Sequence, residues 1–172
     1  SRLISLGNGM LMELSAQNLA IMAWSLAALE LRDGSFFKSA ADPFVSRLDE
    51  CKAQELNNML WAYATVTVRL PWLFLKSANH AMSLGLAEFK THELSIMLWA
   101  HGTAGVCNHV FFDVVVDEIL NGRGIQSCFP REIANSAWAY STIIGRCHIP
   151  WMEAVASYSR CHMNEFDMQG IG

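Results

Sequence analysis

The sequence predicts an all-α fold, a right-handed α-solenoid of antiparallel helical-hairpin repeats of about 38 residues. Three observations carry that expectation. A tryptophan-centred segment returns four times, with Trp24, Trp61, Trp99 and Trp138 spaced 37, 38 and 39 residues apart. Each return keeps a large aliphatic residue five positions before the tryptophan and small residues just after it. The composition, rich in Ala, Leu and Met with 4 prolines in 172 residues, suits helices. One such hairpin cannot bury its apolar face alone, so stacked neighbours must supply the core.

The repeated segment begins Gln17-Asn18-Leu19-Ala20-Ile21-Met22-Ala23-Trp24 in the first copy and Gln54-Glu55-Leu56-Asn57-Asn58-Met59-Leu60-Trp61 in the second. The third reads His92-Glu93-Leu94-Ser95-Ile96-Met97-Leu98-Trp99, and the fourth Arg131-Glu132-Ile133-Ala134-Asn135-Ser136-Ala137-Trp138. We read each as helix B of its copy. Asn or Glu stands near its start, where acceptors and negative charge favour a helix N-terminus. Leu19, Leu56, Leu94 and Ile133 share one phase, and Ala27, Ala64, Gly102 and Ser141 another. Alternating large and small residues let neighbouring helices approach closely.

A second helix, A, should precede each B. Pro43, Pro71 and Pro150 lie near or at three of its starts, where proline is tolerated, which places helix A at about 36–50, 71–87, 110–122 and 150–165. The run from Val110 to Val116 is β-branched and aromatic and reads locally as a strand, but its place in the repeat makes it helical. Little precedes Leu11, so the first hairpin is expected to be incomplete. Phe166-Asp167-Met168-Gln169-Gly170-Ile171 opens a fifth copy. Residues 1–172 are therefore expected to form one repeat array, with a partial fifth copy at 166–172, and to be a segment of a longer one.

Composition narrows the function classes. With 52% apolar and 16% charged residues the chain is not disordered. Its net charge of −4 means that any nucleic-acid surface must be a local stripe. An odd count of 5 cysteines at uneven spacing fits a reducing compartment rather than a disulfide framework. No apolar run reaches the roughly 18 residues of a membrane span, so no membrane partner is expected.

Gln54-Glu55-Leu56-Asn57-Asn58-Met59-Leu60-Trp61-Ala62-Tyr63-Ala64 and Arg131-Glu132-Ile133-Ala134-Asn135-Ser136-Ala137-Trp138-Ala139-Tyr140-Ser141 resemble the octotricopeptide-repeat motif, approximately P-Q-x-L-A-N-x-L-W-A-x-A-x-L-G-x-R. The related heptatricopeptide repeats of some protists are one residue shorter. Four copies in phase carry the resemblance over nearly the whole chain. Ile21 and Ile96 depart from the motif Asn, and His92 and Arg131 from the motif Gln, which blurs any reading code. The resemblance implies RNA binding in a mitochondrion or chloroplast, to organellar transcripts or ribosomal RNA. The roles implied are RNA stability, processing, translation or ribosome assembly, with other proteins of a ribonucleoprotein as further partners.

Charge phasing offers candidate contacts. Arg32, Arg69 and Arg146 stand eight residues after their tryptophans, with Cys107 at that place in the third copy. They either close the helix C-terminus or form a phosphate-binding row. Lys52 and Lys90, nine before the tryptophan, extend the candidate phosphate contacts, and Lys38 and Lys76 recur 23 before it. Asn57, Asn58 and Asn135 are base-edge candidates, with a structural ladder between helices as the alternative. Tyr63, His101 and Tyr140 share one phase with Leu26 and are expected in the core, as are the tryptophans.

No catalytic residues, cofactor or metal site are expected. Cys147-His148 and Cys161-His162 are zinc-ligand types at a spacing that fits no common finger. Asp113, Asp117 and Glu118 read as a solvated helix face. The competing reading is a protein-binding scaffold subunit of a large organellar complex. A continuous positive stripe would favour RNA, and an apolar or mixed groove would favour protein.

Overall fold

The structure, a computed structural model, describes residues 8–32, 34–145 and 148–165. Every regular element among them is helical. The B helices are α2 (Ala16–Ala28), α4 (Ala53–Thr65), α6 (Thr91–Ala104) and α8 (Pro130–Ile144). The A helices are α3 (Gly34–Val45), α5 (Pro71–Leu84), α7 (His109–Asp117) and α9 (Ile149–Cys161), with α1 (Asn8–Leu11) as one turn before the first B helix. The partial fifth copy at 166–172 lies outside the described residues.

Local chemistry sets the boundaries. The amide of Lys52 donates to the Glu55 carboxylate at 2.9 Å, that of Lys90 to Glu93 at 2.7 Å, and that of Phe129 to Glu132 at 2.9 Å. One glutamate in each of the last three copies thus closes the start of helix B, half of a capping box. In the first copy Ser15 does the work, its hydroxyl accepting from the Asn18 amide at 3.2 Å. Three B helices end alike. Leu31 donates to the Leu26 carbonyl at 2.8 Å, Val68 to Tyr63 at 3.1 Å and Val106 to His101 at 3.0 Å. Each bond spans a left-handed residue: Glu30, Thr67 or Gly105. This is the Schellman closure.

Helix A begins near its expected start in each copy, and the run from Val110 to Val116 is helical within α7, since packing between layers overrides β-propensity. Three ends fall short of the expected ones, α5 at Leu84 rather than near 87, α9 at Cys161 rather than near 165, and α3 for a local reason. Pro43 lies in the last turn of α3, not near its start, so α3 stops at Val45 rather than near residue 50. The missing donor of Pro43 weakens the turn before it, and its carbonyl does not carry the helix onward. The Pro43 carbonyl instead accepts from Ser46 Oγ at 2.8 Å and Arg47 Nη1 at 3.1 Å, and Leu48–Glu50 form a 3₁₀ turn.

The helices make two layers. α2 packs on α4, α4 on α6 and α6 on α8, and these are the most extensive contacts in the molecule. α1, α3, α5 and α7 touch in the same order but more sparsely. Between B helices the approach is close. A Cβ on Gly102 of α6 would lie 2.9 Å from the Trp138 ring and 3.2 Å from the Ala139 backbone of α8, so the absent side chain permits the approach. Between layers, residues two after the tryptophan reach the A helix of their own copy. Tyr63 donates its hydroxyl to the Phe37 carbonyl of α3, and Tyr140 to Asp113 of α7 at 2.7 Å. His101 packs against the Phe74 ring of α5 at 5.3 Å. The core expectation for this row holds.

Two arginines tie successive copies. Arg47 donates to the carbonyl of Met12, and Arg123 to those of Leu86 at 2.8 Å and Ala87 at 3.3 Å. Arg123 also pairs with Glu118 at 3.3 Å, across the π-helical turn Glu118–Arg123 that extends α7.

Candidate functional site

On a helix of 3.6 residues per turn, the positions seven and three before the tryptophan, the tryptophan itself, and four after it fall within about 60° of one another. These are the positions that the B helices turn to solvent. Gln17, Gln54, His92 and Arg131 are exposed. Ile21 is exposed and Asn58, Ile96 and Asn135 are half-buried. Ala28 and Thr142 are exposed, with Thr65 and Thr103 half-buried. The tyrosine–histidine row lies on the opposite side, against the A helices.

The tryptophans, expected in the core, lie on the outward face. Trp24 and Trp138 are each 45% exposed, and Trp61 and Trp99 are half-buried. The inner space is already filled by Phe36, Phe37, Tyr63, Phe74, Phe111, Phe112 and Tyr140, so the indoles pack sideways along the B layer. Trp24 and Trp61 sit with ring centroids 6.3 Å apart, tilted by 37°. The surface is thus an aromatic row with one ring per copy.

The asparagines separate. Asn57 is 5% exposed, and its amide donates to the Ala53 carbonyl one turn back at 3.0 Å. Asn58 and Asn135 stand three before their tryptophans, on the outward face. Only these two are placed to meet a ligand there.

The cations also separate. Arg32 and Arg69 are exposed in the turns after α2 and α4, and neither is bonded to a carbonyl or carboxylate among the described residues. The helix ends beside them are closed by backbone bonds, so C-capping is not their work. Arg146 lies outside the described residues. Lys52 and Lys90 are exposed at the other ends of α4 and α6. A helix of 13 residues is about 20 Å long. Of the five cations proposed as one phosphate row, the four that lie among the described residues therefore divide between two edges. The lysine edge is of mixed charge, for Lys52, Gln54, Glu88, Lys90 and Glu93 line one cleft of about 490 Å³. Lys38 and Lys76 are exposed on the A helices, Lys76 lying 5.9 Å over the Trp72 ring.

Two of the cysteines are buried. Burial pushes the Cys51 thiol up to about 12 and that of Cys128 up to about 11, so both stay protonated. Among the described residues no group of three or more His, Cys, Asp or Glu converges as metal ligands. His148 accepts from the Trp151 amide at 3.2 Å and His162 stacks on Tyr158 at 4.1 Å; Cys147 lies outside the described residues. No described helix is long and apolar enough to cross a membrane. Compared with known proteins, the chain matches no family model and no curated sequence.

Proposed function

We propose that this chain is an octotricopeptide-like repeat protein of a mitochondrion or chloroplast. In this reading it binds single-stranded or ribosomal RNA and serves RNA stability, processing, translation or ribosome assembly. Its architecture in this reading is a right-handed α-solenoid of antiparallel hairpins. The B helices, closely packed through small residues, form the inner layer, and the sparsely touching A helices form the outer one. The observation that carries the reading is the outward tryptophan row with Asn58 and Asn135 beside it. Aromatic faces stack on any base, amides bond base edges, and cations at the ends of the B helices neutralise phosphate.

The test is RNA binding across a salt series for the chain and two variants, Arg32/Arg69/Arg146→Ala and Lys52/Lys90→Ala. Affinity should fall with salt, and each phosphate contact removed should flatten the log–log slope by about 0.7 on a single strand. The variant with the flatter slope identifies the edge that follows the backbone. Equal slopes in all three proteins would remove both edges from the interface.

A second reading, a protein-binding scaffold in a large organellar complex, is favoured by one feature. The outward face is mixed and partly apolar, with Ile21, Ile96 and four indoles, rather than a continuous positive stripe. Failure to bind RNA at low salt would leave this reading in place.

A further inference from the structure

Four copies share a scaffold but not a surface. The aliphatic residue five before the tryptophan is buried in all four, and the tryptophan is invariant. The residues seven and three before it are turned outward in every copy, and they vary: Gln17 with Ile21, Gln54 with Asn58, His92 with Ile96, and Arg131 with Asn135. Residues four apart are neighbours on a helix, their Cβ atoms about 5–6 Å apart, so each pair presents one small patch beside its indole. The pairs differ in chemistry in a regular way. Copies two and four offer an amide at the second place, which donates and accepts at once. Copies one and three offer isoleucine there, which does neither.

The first two rings set the ligand's step between copies one and two. Trp24 and Trp61 are 6.3 Å apart, wider than the roughly 3.4 Å rise per base of a stacked strand. A strand that follows the row is unstacked, with base edges free to be read by neighbouring side chains. Resting on the RNA reading above, we infer that the pair seven and three before each tryptophan is the base-selecting element. Copies two and four, where both places can hydrogen-bond, discriminate bases, while copies one and three, where isoleucine leaves only Gln17 or His92 polar, select too weakly to enrich a base. The ligand is then a single strand with two selected positions separated by one unselected position. Arg131 with Asn135 joins a guanidinium fork, suited to guanine O6 and N7, to an amide, whereas Gln54 with Asn58 joins two amides, suited to adenine. The two selected positions therefore differ in base.

Selection from an RNA pool with a randomised window tests this, reading base enrichment position by position. The chain should enrich two positions, one apart, by on the order of tenfold. Asn58→Ile should erase one of them and leave the other. Ile96→Asn should add selection at the position between them. Arg131→Gln, which gives copy four the pair of copy two, should make both positions select the same base. Binding that weakens in these variants while the base profile stays unchanged overturns the assignment and leaves RNA binding standing. Failure of the parent chain to bind the pool overturns both. All three changes lie on the outward face, and unchanged thermal unfolding confirms that a shifted profile is not a folding effect.

Discussion

His101 holds in the third copy the place of Tyr63 and Tyr140 in the second and fourth. It is fully buried among Phe74, Phe111 and Phe112, and its Nδ1 lies 2.8 Å from the Met97 carbonyl. Burial lowers its pKa from 6.5 to about 4, despite the opposing backbone hydrogen bonds. The sign follows from linkage. Above about pH 6.5 both folded and unfolded chains hold neutral imidazole and there is no effect. Below it the unfolded chain takes up a proton that the folded chain refuses until about pH 4. Stability should therefore fall through that window, by up to about 3 kcal/mol. Urea midpoints from pH 7 to 4.5 should show this fall. His101→Tyr, which restores the row, should flatten it; an unchanged acid slope would place the sensitivity elsewhere.

At the scale of one helix, the ends of α2 and α4 carry a local conflict. Glu30 and Thr67 adopt φ of 57° and 60°, where Gly105 and Gly145 stand in the later copies at 68° and 63°. A β-branched residue resists that conformation, and the Schellman bond from Val68 to Tyr63 holds it there. Thr67→Gly should stabilise the chain by about 1 kcal/mol, seen as a raised denaturant midpoint with unchanged slope. Loss of stability would mean that the Thr67 hydroxyl, 2.7 Å from the Val66 carbonyl, matters more than the strain. The glutamates at the starts of the B helices work the opposite way, each relieving an amide that would otherwise lack a partner.

Across the whole molecule, one core runs through successive B helices, so neighbouring copies share their buried contacts. Gly102 is the clearest test of that sharing. A larger side chain there meets the Ala139 backbone, which cannot move without shifting α8. Gly102→Val should cost about 1–3 kcal/mol. In an array coupled only through nearest neighbours, the loss should be local. Amide exchange should accelerate in α8 and α9 while α2 and α4 keep their protection. Uniform acceleration would show a single cooperative unit. The ties of Arg47 to Met12 and of Arg123 to Leu86 add polar links between copies. The outward face follows the same order, so a strand lying along it would meet one aromatic ring per copy.

The period of the tryptophans, the span of each helix B and the burial of the tyrosine–histidine row are legible in the sequence, because spacing alone tells which residues share a helical face. Spacing also overrode the strand-like run from Val110 to Val116. It does not tell which face turns inward. Three of the four B helices carry an aromatic on each of two opposite sides, a tryptophan on one and a tyrosine or histidine on the other, and hydrophobicity cannot choose between them. The A helices choose, by filling the space beside Tyr63, His101 and Tyr140 and leaving Trp24 and Trp138 at the surface. The same packing separates Asn57 from Asn58, which are adjacent in sequence but 100° apart around a helix, roughly. It also sets Lys52 and Lys90 a helix length from Arg32 and Arg69. Local chemistry fixed the elements and their register. Only the packing of one layer on the other decided which side chains a ligand can reach, because that depends on residues about 25 positions away along the chain.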